Sequence, residues 1–155
     1  MGVVSAAERT TPEIRILIIP DRNDDLSSLL ACQMQNLVFV VDDDASMLRS
    51  VARLLRQLGY ESVLFPSAEA FANHSDFDRV ACVLLDIDLG HVSGIELRHR
   101  LKAANISVPI IYMTGNDKPA VRTAALQSGC LAYLTKPFSV KALMEPLQRA
   151  SAGFA

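Results

Sequence analysis

An uninterrupted apolar run that ends on a carboxylate constrains the fold of this chain most strongly. Val80–Leu85 is apolar throughout, and Asp86 follows directly. Such a run predicts a strand that is buried on both faces, as in the middle of a parallel sheet. Ligands and reacting groups lie at the carboxyl ends of these strands. Asp86 is therefore a candidate functional residue, although a lone aspartate at a strand end also commonly forms a turn.

Segments of two kinds alternate from residue 36 onward. Short β-rich runs are separated by segments whose apolar residues recur at helical spacing, such as Leu48, Val51 and Leu55. This alternation with short connections predicts parallel strands joined by right-handed crossovers. The expected fold is α/β, a doubly wound five-stranded parallel sheet with helices on both faces, as in flavodoxin-like proteins. The predicted strands are 37–41, 62–65, 80–85, 108–113 and 131–134.

Polar residues mark the starts of the predicted helices. Asp44 is expected to cap the helix after the first strand, and Ser67 the short helix that follows the second. Asn116 or Asp117 is expected to cap the helix after the fourth strand. Pro146 lies within the last helix, where it removes a backbone hydrogen bond and is expected to cause a kink.

Length and composition limit the possible functions. The chain has 155 residues, half of them apolar, with a net charge of −2 and no basic block, which favours a compact domain without a nucleic-acid surface. No apolar run approaches membrane-spanning length. The three cysteines lack C-x-x-C spacing, which favours a reduced, cytoplasmic protein with Cys82 as a buried, inert thiol. The histidines share no metal-ligand spacing and are expected at solvated positions (His74, His91 and His99).

The chain is expected to contain one folded domain with an extension at its start. Residues 1–35 include a strand-like piece at 14–19 that has no counterpart later in the chain. We expect this extension to be poorly ordered or dispensable, with Met34 as a possible biological start. Residues 36–150 form the predicted domain, and residues 151–155 form a tail.

Polar groups follow four of the predicted strands. Asp42 and Asp43 follow the first, Asp86 the third, Thr114 the fourth and Lys136 the fifth. The carboxyl ends of parallel strands meet at one edge of the sheet, so three carboxylates would repel one another there. Mg²⁺ prefers such oxygen ligands. The ammonium and hydroxyl groups suit phosphoryl oxygens, so the site is equipped to place a phosphoryl group on a carboxylate.

Four motifs at these strand ends carry a resemblance to a known family. Over residues 36–150 the chain resembles the receiver domain of bacterial two-component response regulators. All four motifs occur in the family's order and at similar spacing. They are VVDDD at 40–44, LLDIDLGHVSG at 84–94, YMTG at 112–115 and YLTKPF at 133–138.

The resemblance implies a phosphoacceptor and a metal site. Asp86 would accept phosphate from the phosphohistidine of a sensor histidine kinase or a histidine phosphotransfer protein. Asp42 and Asp43 would bind Mg²⁺ together with Asp86, and the backbone carbonyl of Asp88 would complete the protein ligands. The chain would then catalyse only its own phosphorylation and dephosphorylation, and would not be an enzyme for other substrates.

The resemblance also implies a signalling switch. Thr114 and Lys136 would contact the phosphoryl oxygens, and Tyr133 would be the aromatic switch residue. A downstream protein target would bind the face formed by residues 117–150. Because no output domain follows, we expect a stand-alone receiver that binds neither nucleic acid nor membrane.

Two positions qualify the resemblance. The family commonly has proline where this chain has Gly90, so the loop after Asp86 is expected to be more mobile. Pro137 occupies a family position at which the preceding peptide bond is cis, and sequence alone does not give the isomer.

Three alternatives use the same residues or fold. A haloacid dehalogenase-type phosphatase also has an Asp-x-Asp motif, as in Asp86 and Asp88, but its acidic pair lies downstream, whereas Asp42 and Asp43 lie upstream. A flavin mononucleotide carrier shares the architecture, but Asp42, Asp43 and Asp44 would repel its phosphate. A binding module that has lost phosphorylation is the third alternative, although no site residue is missing.

Overall fold

The computed structural model describes residues 36–153, so the expectation for residues 1–35 falls outside the described residues. Within that range the predicted strands occur in the predicted order, with ends shifted by one or two residues. Two further short strands were not predicted. The strands are β1 (Leu37–Val41), β2 (Glu61–Phe65), β3 (Val80–Asp86), β4 (Asp88–Leu89), β5 (Val92–Ser93), β6 (Ile110–Thr114) and β7 (Ala132–Thr135).

Five strands form one sheet in the order β2-β1-β3-β6-β7, and every neighbouring pair is parallel. This arrangement confirms the predicted fold class. The central strand β3 is buried from Ala81 to Asp86. Burial on both faces leaves no solvated side for polar residues, which explains its uninterrupted apolar sequence.

Helices cover both faces of the sheet and enclose two apolar clusters. Leu48 of the first helix and Leu147 of the last pack on one face, whereas Phe71, Leu97 and Ala125 pack on the other. Over residues 36–153, every helix falls short of the length and apolarity that crossing a bilayer requires. The helices are α1 (Ala45–Gln57), α2 (Ala68–Ala72), α3 (Gly94–Ala103), α4 (Pro119–Gln127) and α5 (Val140–Ser151).

The first two helices begin as predicted. The side chain of Asp44 accepts hydrogen bonds from the backbone N–H groups of Ser46, at 2.9 Å, and Met47, at 3.4 Å. Ser67 accepts one from the backbone N–H of Ala70 at 3.0 Å. Both side chains thus satisfy N–H groups that have no partner within the helix.

The predicted cap of α4 is wrong. The residue before the helix is Lys118, and its side chain forms no capping hydrogen bond. Asp117 instead pairs with Arg122, and the backbone N–H of Asn116 donates to the hydroxyl group of Thr114. The side chain of Asp117 is therefore engaged by Arg122 and not by the first N–H groups of the helix. α5 in turn continues through the buried Pro146 and ends at Ser151.

A small hairpin follows the central strand. β4 pairs with β5 in antiparallel fashion, with Asp88 opposite Ser93 and Leu89 opposite Val92. The turn between them contains Gly90 at a φ of 84°. Proline cannot adopt a positive φ, and glycine adopts it freely, so Gly90 permits this tight turn. The expectation of greater loop mobility stays a prediction.

The expectation that His74 lies at a solvated position is met only in part, because its side chain is half-buried. Its ring forms edge-on contacts with Phe39, Phe65 and Phe77, at centroid distances of 4.9, 5.4 and 5.9 Å. Edge-on ring pairs are favourable, so these rings cover part of the imidazole, while its Nε2 lies 3.0 Å from the carbonyl oxygen of Asp76 at an exposed position. Cys82 is buried as expected, and burial raises the pKa of its thiol to about 12, so the thiol is neutral.

Gly94 packs against the end of the central strand, and a substitution there tests this packing. Its N–H donates to the carbonyl of Ile87 at 2.9 Å, and an added Cβ would collide with the carbonyl oxygen of Asp86. Because this neighbour is backbone and cannot move aside, Gly94→Ala is expected to lower the free energy of unfolding by about 1–3 kcal/mol, measured in urea.

Gly115→Ala is the matched control, because a Cβ at Gly115 meets no atom within 4 Å. It is expected to leave the free energy of unfolding nearly unchanged. Equal stability of Gly94→Ala and the native chain would contradict the close packing described here.

Candidate functional site

The sheet order brings the predicted residues together at one edge. Asp42 follows β1 directly, Asp86 ends β3 and Thr114 ends β6, and these three strands are neighbours in the sheet. The side chains of Asp42, Asp86 and Thr114 are all buried. Burial is unusual for the two aspartates. Lys136 follows β7, and its backbone N–H donates to the carbonyl of Thr114 at 2.7 Å, which places its side chain at the same edge.

Three carboxylates form a compact cluster. Asp42, Asp43 and Asp86 each offer an oxygen, and these three atoms lie within 4.8 Å of one another. Asp42 and Asp86 are buried, whereas Asp43 is exposed at the mouth of the site. The group combines hard oxygen donors with access from solvent, which suits a hard divalent cation.

Lys136 balances part of this negative charge. Its Nζ lies 2.8 Å from Oδ2 of Asp42 and 3.5 Å from Oδ1 of Asp86. Burial lowers the pKa of Lys136, but the hydrogen bond to Asp42 and the two carboxylate charges outweigh that effect and raise it. The ammonium group therefore stays charged and contacts both buried carboxylates.

Asp86 has an unusual protonation equilibrium. Burial is the largest effect and, together with the charge of Asp42, raises the pKa of Asp86 to about 7. Lys136 and the backbone N–H of Asp88, which donates to Oδ1 of Asp86 at 3.2 Å, act in the opposite direction. Without a bound divalent cation, this carboxyl group is therefore about half protonated near neutral pH.

The hydroxyl group of Thr114 lies among acceptors. It is placed to donate to Oδ2 of Asp88 at 3.4 Å or to the carbonyl of Asn116 at 3.3 Å. It also accepts from the backbone N–H of Asn116 at 3.0 Å. The receiver resemblance gave Asp88 only a backbone role, and the contact of its side chain with Thr114 was missed. The Asp-x-Asp spacing was the available signal.

Tyr133 lies on β7 opposite Tyr112 of β6, on the sheet face to which Thr114 also belongs. Its hydroxyl group donates to Oδ1 of Asp117 at 3.1 Å, and the guanidinium carbon of Arg122 lies 5.1 Å from the ring centroid. Burial and the hydrogen bond to Asp117 raise the pKa of Tyr133. Sequence reasoning gave Asp117 only a possible capping role and missed Arg122, because a charge pair at a helix start carries no functional signal by itself.

Two further observations concern the surroundings. The peptide bond between Lys136 and Pro137 is cis, as the resemblance implied. A cavity of about 450 Å³ lies beside Lys136 and has mainly apolar walls. Its lining residues include Met47, Val51, Leu54 and Phe138.

Comparison with known proteins gives one consistent family. A family model described as the response regulator receiver domain matches residues 38–148. Nodulation protein W of Bradyrhizobium diazoefficiens is 36% identical over 115 residues, which are 74% of this chain and 51% of that protein. Transcriptional regulatory protein FixJ of the same organism is 36% identical over 101 residues, 65% of this chain and 49% of that protein. The crystal structure of FixJ-N superposes with a TM-score of 0.71 at 29% identity and covers 78% of this chain and 97% of that one.

The chain spans about half the length of these two curated relatives. The stand-alone arrangement therefore stays a prediction. The expectation that nucleic acid plays no part is not supported, because one relative is named a transcriptional regulatory protein. The phosphatase and flavin-carrier alternatives receive no support from the family match.

Sequence, fold and similarity together show that this chain belongs to the response regulator receiver domains, the signalling domains of two-component systems.

Proposed function

We propose that Asp86 accepts a phosphoryl group from the phosphohistidine of a partner histidine kinase or phosphotransfer protein. The observation that carries this proposal is the position of Asp86 at the carboxyl end of β3, within 3.5 Å of Lys136 and beside the carboxylates of Asp42 and Asp43. Among the three clustered carboxylates, Asp86 alone ends the central strand of the sheet.

The transfer is a displacement at phosphorus. An oxygen of the ionised Asp86 carboxylate forms the new bond to phosphorus, and the bond between phosphorus and the histidine nitrogen breaks. The electron pair of that bond returns to the imidazole. The ammonium group of Lys136 lies close enough to Asp86 to stabilise negative charge on the transferred oxygens.

The carboxylate cluster fits a bound Mg²⁺. Asp42, Asp43 and Asp86 would hold the ion, with the backbone carbonyl of Asp88 as a further ligand. When bound, Mg²⁺ would neutralise charge on the phosphoryl group and favour the ionised form of Asp86. The carboxylates themselves supply the hard oxygen donors that this ion prefers, and Asp43 is accessible from solvent.

A phosphorylated Asp86 would act through Thr114 and Tyr133. The Thr114 hydroxyl group would turn from Asp88 to the phosphoryl oxygens, and Tyr133 would move inward beside it. Such differential contacts shift an equilibrium between two pre-existing conformations. The downstream partner would bind the face formed by α4, β7 and α5. Exposed apolar residues support this face as a docking surface (Leu126, Val140 and Met144).

The phosphodonor protein would approach the opposite side of the site. The apolar cavity lies between α1 and residues 136–138, and Lys136, which lines it, is 3.5 Å from Oδ1 of Asp86. An apolar recess on the surface is a candidate contact site for a protein partner. The chain would then perform a single transfer to itself and its later hydrolysis, not turnover of other substrates.

Labelling tests the acceptor. With acetyl phosphate and Mg²⁺, the chain is expected to gain one base-labile phosphoryl group, detected by intact mass. Asp86→Asn is expected to gain none, because an amide oxygen is a poor nucleophile at neutral pH. Asp78→Asn, an exposed control outside the carboxylate cluster, should be labelled like the native chain. Full labelling of Asp86→Asn, or continuous hydrolysis of p-nitrophenyl phosphate, would contradict the proposal.

The raised pKa of Asp86 predicts a pH dependence of stability without metal. Its folded pKa of about 7 exceeds the unfolded value of about 3.9, so between these values the folded chain binds more protons than the unfolded chain. Its contribution to stability is therefore present at low pH and lost as pH rises towards 7. From pH 5 to 8 the native chain should lose about 2.5 kcal/mol relative to Asp86→Asn, measured in urea. Parallel curves for the two proteins would contradict the shift.

Mg²⁺ is expected to stabilise the folded chain. At ten times its dissociation constant the ion should add about 1.4 kcal/mol to the free energy of unfolding, measured as a rise in melting temperature against EDTA. Asp43→Asn should remove most of this gain, because it deletes a ligand at the accessible mouth of the site. Asp78→Asn should retain it. A melting temperature that does not respond to millimolar Mg²⁺ would exclude the metal site.

A further inference from the structure

Asp117, Arg122 and Tyr133 form a polar cluster at the start of α4. The carboxylate of Asp117 accepts two bonds from Arg122, one from Nε at 3.3 Å and one from Nη2 at 3.0 Å. It also accepts the bond from the Tyr133 hydroxyl group at 3.1 Å, and Arg122 lies over the Tyr133 ring. The cluster thus joins β7 to α4 and to the loop before it.

This use of Asp117 is not the one that local sequence favours. An aspartate just before a helix usually accepts backbone N–H groups of the first turn, yet α4 has no side-chain cap. Both carboxylate oxygens are engaged by Arg122 and Tyr133 instead. The bonds to Arg122 and to Tyr133, which lies 16 residues later in the chain, therefore replace a cap that the same side chain was expected to form.

We propose that Asp117 and Arg122 are positioning residues that hold Tyr133 outward in the unphosphorylated chain. This inference rests on the proposed switch role of Tyr133. An inward movement of Tyr133 breaks its bond to Asp117 and its contact with Arg122. The cluster therefore stabilises the conformation that exists before phosphorylation and sets how far phosphorylation must shift the equilibrium.

The size of the effect follows from exposure. The side chains of Arg122 and Asp117 are 52% and 38% exposed, so solvent weakens the pair. An interaction that forms in only one of two conformations favours that conformation. Removing it shifts the equilibrium constant towards the other conformation by the factor that corresponds to its free energy. For an exposed pair of this kind we expect an increase of about threefold in the population of the inward conformation.

The experiment uses the full chain with fluorotyrosine in place of its three tyrosines. Fluorine NMR follows the Tyr133 signal during titration with beryllium fluoride, a phosphoryl mimic, in saturating Mg²⁺. Arg122→Gln removes the ion pair and the ring contact, and Asp117→Ala removes the acceptor of the Tyr133 hydroxyl group. Arg100→Gln is the matched control, because Arg100 forms an exposed ion pair with Glu96 at 2.8 Å on α3, away from Tyr133.

In the native chain, beryllium fluoride should move the Tyr133 signal to a second position. Arg122→Gln and Asp117→Ala should move the signal part of the way without beryllium fluoride and should lower the concentration for half-saturation about threefold. Arg100→Gln should match the native chain in both measurements, even if its melting temperature falls as far as that of Arg122→Gln. A merely structural role would lower the melting temperature without changing half-saturation.

Two results would overturn the inference and are distinguishable. If beryllium fluoride moves the Tyr133 signal equally in the native chain and in both variants, at the same half-saturation, the switch operates and the cluster does not restrain it. If the native chain binds beryllium fluoride but its Tyr133 signal stays in place, the proposed switch role of Tyr133 fails, and the positioning role of Asp117 and Arg122 fails with it.

Discussion

The ion pair between Lys136 and Asp42 is the interaction on which the rest of this site depends. Asp42 is completely buried, and a buried carboxylate without a cationic partner strongly destabilises a folded chain. Lys136 Nζ supplies that partner at 2.8 Å and lies 3.5 Å from Asp86 as well. Removing one member of a buried pair typically costs about 3–5 kcal/mol. One ammonium group therefore permits two buried carboxylates to share an edge of the sheet, and it joins the chain after β7 to the end of β1.

The site keeps a net negative charge that a proton or a divalent cation can neutralise. One ammonium group does not neutralise three carboxylates, and burial with the charge of Asp42 raises the pKa of Asp86 to about 7. A proton and a divalent cation are then alternative ways to reduce the same repulsion. Only the cation leaves the Asp86 oxygens unprotonated. Gly94 allows α3 to pack directly against the backbone of Asp86, at the end of the strand that carries this carboxylate.

The two proposed switch residues both contact carboxylates in this conformation. Thr114 lies within hydrogen-bonding distance of Asp88, and Tyr133 donates to Asp117. A phosphoryl group on Asp86 would compete with Asp88 for the Thr114 hydroxyl group, and an inward Tyr133 would give up Asp117. Each conformation thus satisfies these hydroxyl groups with different acceptors. A ligand shifts the equilibrium between two conformations only by the difference between its affinities for them. A modest difference is enough where the free energies of the two conformations lie close together.

Local sequence determined the fold and which residues form the site. Apolar runs and helical periodicity are properties of neighbouring residues, so they predicted the strands, and parallel topology then placed Asp42, Asp86, Thr114 and Lys136 at one edge. Tertiary structure decided how these groups share partners. Asp117 has the sequence position of a helix cap, yet it binds Tyr133, a residue 16 positions later. His74 has a polar side chain, yet it packs on Phe39 of β1 and Phe65 of β2. Competition among hydrogen-bond partners depends on distances between elements remote in the chain, and no local pattern encodes those distances.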